Sequence, residues 1–478
     1  MKNSIILGCL TIITIFFSCN SGNDPRKIVY EFENELLTGN FNKVIRLADS
    51  LQQAFPNNTL LVHKLDSLKE MTRRISLDFS LTEDEIAVRL HKVMGDFTPE
   101  DKLNWEKDNL LEYRVINGEK RYFNRAASNL KLLLAHRQKR ANPLSVYNPD
   151  ETDQFRIQKA KETIALNSMG IPVNPVNIKI KYTLKVDADA VPSGETIRCW
   201  MPFPKESHAR QQNVALIQTF PEKHFIAPDS VGQRSLYLEQ TSTPNKPTVF
   251  EMELSYKPMA QYFNMESLLI ASYNTSSALY RKFTSEEKPH IVFTEKIRTL
   301  SDSIVGKEKD PLKIVRKIYY WINANIPWAG ALEYSTMPNI PEYVLENKHG
   351  DCGMQTLLFM TLARYNGIPV KWQSGWYFFP GDVNLHDWCE VWYEGIGWVP
   401  LDMSFGLLPS EDQHIREYYI TGIDAYRFVI NDATGTRFTP AKRFMRSEPV
   451  DFQRGEVEWR GGNLYFDKWD YHMEVSYF

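Results

Sequence analysis

The chain has 478 residues, of which 43% are apolar, 13% aromatic and 24% charged, a globular composition long enough for two or three domains. A net charge of -3 without a long basic run argues against a nucleic-acid partner. The five cysteines, Cys9, Cys19, Cys199, Cys352 and Cys389, show neither zinc-site spacing nor the density of a disulfide framework, so no metal or cofactor is expected.

Lys2 and the apolar run Ile5 to Phe17, followed by Ser18-Cys19 and a polar stretch, read as a targeting segment too short to span a bilayer. A small residue before a cysteine at the end of such a run resembles a bacterial lipobox. That resemblance implies a signal peptide over residues 1–18, lipidation of Cys19, and a membrane-anchored lipoprotein of the cell envelope, periplasmic or surface-exposed.

Residues 19–167 read as an α-helical domain. Val44, Leu47, Leu51 and Phe55 share a helix face, and Thr82 with Glu85 and Thr98 with Asp101 have capping-box spacing. Val115-Ile116-Asn117-Gly118-Glu119 has the signature of a hairpin turn. The first pair of helices looks like a tetratricopeptide hairpin without a second copy, so plain packing competes with partner recruitment in the envelope.

After the linker Ile171-Pro172-Val173-Asn174-Pro175 the period changes to two. Ile178, Ile180, Tyr182 and Leu184 alternate with polar residues, as do Phe250, Met252, Leu254 and Tyr256, so a β-sandwich is expected over residues 172–260. Residues 261–478 form the third part, with helices near 293–305 and 310–325 and closing strands after residue 428.

Within this part, Gly350-Asp351-Cys352-Gly353 opens an apolar helical pattern that Gly367 and Pro369 end. Cys352 therefore falls at a helix N-terminus, where the dipole favours a thiolate and lowers the thiol pKa. His386 follows on one strand and Asp402 at the end of the next, with the turn Gly395-Ile396-Gly397 between them. A nucleophile, a base and an acid that orients the base are what thiol catalysis requires. Each residue also has a structural alternative: a core cysteine, a hydrogen-bonding histidine, a strand-ending aspartate. His349 is a competing base.

The blocks Gly350-Asp351-Cys352-Gly353, Leu362-Ala363-Arg364-Tyr365-Asn366-Gly367-Ile368-Pro369-Val370, His386-Asp387-Trp388-Cys389-Glu390-Val391-Trp392 and Gly397-Trp398-Val399-Pro400-Leu401-Asp402 resemble the core of the transglutaminase-like superfamily. The resemblance runs through roughly residues 290–405 and implies a papain-like α+β catalytic core with Cys352 as nucleophile, His386 as base and Asp402 as orienter. It further implies Trp328 as an oxyanion donor, with Tyr334 as its rival. Implied functions are cysteine peptidase or amidase hydrolysis of a peptide or protein substrate, transglutaminase cross-linking, or peptide deglycosylation. No calcium-ligand cluster accompanies the motif. The opposing reading is a non-catalytic surface module that binds protein or glycan.

Overall fold

A computed structural model describes residues 25–141 and 149–478. Residues 1–18, where a signal peptide is expected, and Cys19 lie outside the described residues. The fold is mixed α/β with several antiparallel sheets. Among the described residues, no helix is long and apolar enough to cross a membrane.

The chain divides into two compact units, and neither follows the expected boundaries. One comprises Met1–Ser145, Lys288–His290 and Pro327–Gly350. Its helices Pro25–Thr38, Phe41–Ala54 and Thr59–Asp78 meet around Phe32, Val44, Ala48 and Leu65. Both capping boxes form as the sequence predicts, at Thr82 with Glu85 and at Thr98 with Asp101. Strands Tyr113–Ile116 and Glu119–Tyr122 make the expected hairpin. Its turn residues Asn117 and Gly118 have φ of 51° and 86°, the left-handed backbone that such a two-residue turn requires.

The excursion 327–350 was expected in the third domain but joins this helical unit, because its polar groups find partners there. Asn129 exchanges two 2.8 Å hydrogen bonds with the backbone of Gly330. Asp78 accepts from the Glu333 N–H at 3.2 Å and the Thr336 hydroxyl at 3.0 Å. The Tyr343 hydroxyl donates to Glu112 Oε1 at 2.6 Å. Burial pushes the carboxyls of Asp78 and Glu112 each up to about 7.

The second unit comprises Val146–Glu287, Ile291–Ile326 and Asp351–Phe478. The helix Glu151–Leu166, assigned by sequence to the N-terminal domain, belongs here and buries Ala160 with Tyr262, Leu408 and Tyr418. Two antiparallel sheets form the sandwich. Ile178–Val186 and Thr248–Pro258 run side by side, burying alternate residues as the period of two demands. The closing strands were expected in the catalytic domain but complete this sandwich. Trp469–Tyr477 pairs along the whole of Ile178–Val186, and Glu456–Trp459 pairs with Thr196–Pro202. Pairing satisfies edge backbone groups that the sandwich strands would otherwise leave open.

A further antiparallel sheet of four strands has the spatial order Gly397–Leu401, Asp382–Tyr393, Val370–Phe379, Arg427–Asn431. Trp376, Phe378, Phe428 and Ile430 from this sheet share one core with the sandwich residues Tyr182, Leu184 and Tyr256.

Candidate functional site

The helix Cys352–Tyr365 starts where its sequence says it must. Asp351 is the N-cap, and its carboxylate accepts the Met354 N–H at 3.1 Å, leaving Cys352 in the first helical position. Residues 353–364 are buried all round, so this is a central helix rather than an amphipathic surface one. Gln355 Nε2 donates to the Ile326 carbonyl at 2.8 Å, and Arg364 Nε to the Val370 carbonyl at 3.0 Å, which fixes both ends.

His386 lies on the inner strand Asp382–Tyr393, directly opposite Gly375 of the neighbouring strand. A Cβ at Gly375 would stand 1.6 Å from the Phe428 carbonyl oxygen, so only glycine admits the strand Arg427–Asn431 at that point. His386 is 2% exposed, with its ring against Phe405 (4.4 Å between centroids) and stacked on Trp388 at 5.8 Å.

Asp402 directly follows the next strand, Gly397–Leu401. Its Oδ2 receives His386 Nε2 at 2.7 Å, and its Oδ1 accepts the N–H groups of Ser404 at 3.2 Å and Phe405 at 3.1 Å. This bond leaves His386 Nδ1 as the nitrogen available to a substrate or nucleophile. Arg427 Nη1 also stands 2.8 Å from Asp402 Oδ2, while its Nη2 donates to Asp424 Oδ2 at 2.8 Å. Burial opposes charge on Asp402, but the His386 and Arg427 charges outweigh it and hold its carboxyl at about 2. Burial lowers the His386 pKa, Asp402 opposes that shift and Arg427 adds to it. The ring is therefore a neutral base at neutral pH, with Asp402 ready to stabilise its protonated form.

The thiol hydrogen bond of Cys352 runs to Asp387 Oδ2 at 3.4 Å, and none joins Cys352 to His386. Burial, then the carboxylates of Asp387 and Asp351, push the Cys352 thiol well above its ordinary value. The lowered thiol pKa expected from the helix start is thus overturned, because two nearby carboxylates and desolvation outweigh the dipole. Cys199 and Cys389 are buried, and burial raises both thiols.

His349 and Trp328 belong to the helical unit. His349 is buried and lowered to about 4 by that burial. Trp328 is 47% exposed, and its backbone bridges in parallel to Gly350. Tyr334 is buried in the same unit.

Sequence reasoning did not single out Asp387, Arg427 or Gln453. Gln453 Nε2 donates both to the His386 carbonyl at 2.9 Å and to Asp387 Oδ1 at 2.8 Å. Asp387 carried a signal: a carboxylate directly beside the candidate base, between His386 and Trp388. Gln453 carried none, because it reaches the site from a distant irregular segment. Among the described residues, no three His, Cys, Asp or Glu side chains are placed to hold a metal ion.

Residues 298–403 match the model of the transglutaminase-like superfamily, so the chain carries a domain of that superfamily reaching from within the helix Glu295–Val305 to just beyond Asp402. Among solved structures the chain is similar to a candidate cysteine protease from Cytophaga hutchinsonii, at 14% identity over 64% of this chain and 92% of that one, with a TM-score of 0.44. It is also similar to the periplasmic domain of TgpA from Pseudomonas aeruginosa (12% identity, 55% and 94% coverage, TM-score 0.27). A candidate protease from Parabacteroides distasonis matches at 12% identity, covering 56% of this chain and 47% of that one, with a TM-score of 0.21. No curated protein matches the sequence.

Proposed function

We propose that this protein is a thiol-dependent acyl-transfer enzyme acting on peptide or amide substrates, with Cys352 as nucleophile, His386 as base and Asp402 as the group that orients it. The observation that carries the reading is the buried 2.7 Å bond from His386 Nε2 to Asp402 Oδ2, in a domain whose family motif also puts Cys352 at a helix start. His386 Nδ1 takes the thiol proton as Cys352 Sγ attacks the substrate carbonyl carbon. The tetrahedral intermediate collapses, the C–N bond breaks, and the amine leaves with the proton from His386. Water then attacks the thioester with His386 again as base, the C–S bond breaks, the proton on His386 returns to Cys352 Sγ, and the acid is released.

Hydrolysis is the proposed outcome, and the protein is proposed to act in the envelope, anchored through Cys19. The deciding experiment incubates the purified protein with a peptide library, with and without a primary amine, beside Cys352→Ala. New carboxyl termini that disappear in Cys352→Ala support hydrolysis, whereas isopeptide products redirect the reading to cross-linking. A mass profile identical for the two proteins refutes it. Incorporation of labelled palmitate, lost in Cys19→Ala, tests the anchor.

A further inference from the structure

Asp387 takes no part in the reaction just described, yet it touches the reacting atom. It is 1% exposed, and its Oδ2 lies 3.4 Å from Cys352 Sγ. It is also held firmly. Gln453 Nε2 anchors Oδ1 at 2.8 Å, and Trp376 Nε1 anchors the Gln453 carbonyl at 3.0 Å. Strand alternation sends Asp387 and His386 to opposite sides of the strand. His386 meets Asp402, Phe405 and Trp388, whereas Asp387 meets Cys352 and Gln453.

The ionisable groups facing Asp387 are mostly acids. Cys352 and Asp351 come from the helix side, and Asp451 and Glu448 from the segment that carries Gln453. Glu448 is paired with Arg454 at 2.6 Å. Burial raises the Asp387 pKa most, followed by the charges of Asp451 and Asp351. A carboxylate in such surroundings gains from any proton it can share: the Gln453 amide supplies one at Oδ1 and the Cys352 S–H one at Oδ2.

We propose that Asp387 is a thiol-holding residue: its Oδ2 accepts the Cys352 S–H and keeps the resting sulfur protonated. This rests on the reading of Cys352 as nucleophile. No bond to sulfur forms or breaks in the resting pair, and the proton stays on Sγ. Attack requires that proton to leave Sγ, so the S–H must first part from Asp387 Oδ2. Because the thiolate is the form that alkylating agents and oxidants attack, the arrangement keeps the idle enzyme chemically quiet.

The test is the pH profile of Cys352 alkylation by iodoacetamide, followed by peptide mapping without any substrate. In the wild-type protein the midpoint is expected above that of an ordinary thiol, about 8.5. Asp387→Asn keeps the shape and the acceptor for Gln453 but removes the charge. Its midpoint is expected about one unit or more lower, with labelling at pH 7 about tenfold faster. Faster labelling of Cys199 and Cys389 as well identifies unfolding, and the wild-type profile then decides alone. A wild-type midpoint near or below 7 overturns the proposal, as does an unchanged profile in a folded Asp387→Asn. Neither result touches the acyl-transfer reading, which stands or falls on turnover lost in Cys352→Ala.

Discussion

Replacing Asp402 by Asn keeps the size of the side chain and removes its charge. Its Oδ2 faces His386 Nε2 and Arg427 Nη1, and its Oδ1 faces two backbone N–H groups, so donors surround it on both sides. Whichever way the carboxamide turns, its NH2 meets donors. If it faces His386, the ring must offer Nε2 as acceptor and carry its proton on Nδ1, where the base is needed. Turnover is expected to fall on the order of 10³–10⁴-fold, the scale found for the analogous change in Ser-His-Asp enzymes.

Stability changes too. The Asp402 carboxyl is held at about 2, below the ordinary 3.8. A folded pKa below the unfolded one stabilises the fold above the unfolded value, and here that contribution is about 2 kcal/mol. It is lost as pH falls from about 4 to about 2. Leaving Arg427 partly unpaired brings the total cost at pH 7 to about 3–5 kcal/mol. Urea unfolding at pH 7 and at lower pH reads the difference between the two proteins, which narrows in acid. Long-range ¹⁵N spectra of the imidazoles read the shifted proton. Wild-type turnover with an unchanged His386 tautomer refutes the reasoning.

Arg427→Met removes the cation that lowers the His386 pKa, so the acid limb of the pH–rate profile is expected to move to higher pH, with loss of stability from Asp424 and Asp402 both losing their shared cation. An acid limb at its original pH counts against this. Glu112 has a folded pKa of about 7, above its ordinary 4.5, so its contribution to stability is full below about pH 4 and is lost as pH rises through 7. Glu112→Gln is therefore expected to raise the urea midpoint of the helical unit at pH 8 and not at pH 4, and equal gains at both would be inconsistent with it. Gly375→Ala forces a methyl into the Phe428 carbonyl and is expected to cost at least about 1–3 kcal/mol. An unchanged melting temperature would show that the two strands separate freely.

Local signals were read well from the sequence. The cap at Asp351, the capping boxes at Thr82 and Thr98, and the Asn117-Gly118 turn depend on residues within three or four positions of each other. The strand of His386 and the one leading to Asp402 form a hairpin, so their adjacency could be argued from turn length. Long-range choices were not legible. Nothing in Trp469–Tyr477 says that it pairs with Ile178–Val186, since both are alternating strands and either could have found another edge. Nor does the 327–350 segment announce that Asp78 and Asn129 will hold it. At the site, the helix dipole argument for Cys352 was local and sound in itself. It failed because burial comes first, and the carboxyls of Asp351 and of Asp387, which arrives from a strand, add to it and outweigh the dipole.

The pairing of Trp469–Tyr477 with Ile178–Val186 also sets a clock. A chain made from its N-terminus emerges with Cys352, His386 and Asp402 well before Gln453, the residue that props the His386 carbonyl. The strand Ile178–Val186 meanwhile offers an open edge to any other strand until its partner is synthesised, a hazard for a newly made protein. Such non-local pairing folds slowly. Closure of the sandwich and completion of the site therefore wait until the chain has been made through residue 477, and the site cannot be assembled around Cys352 piece by piece.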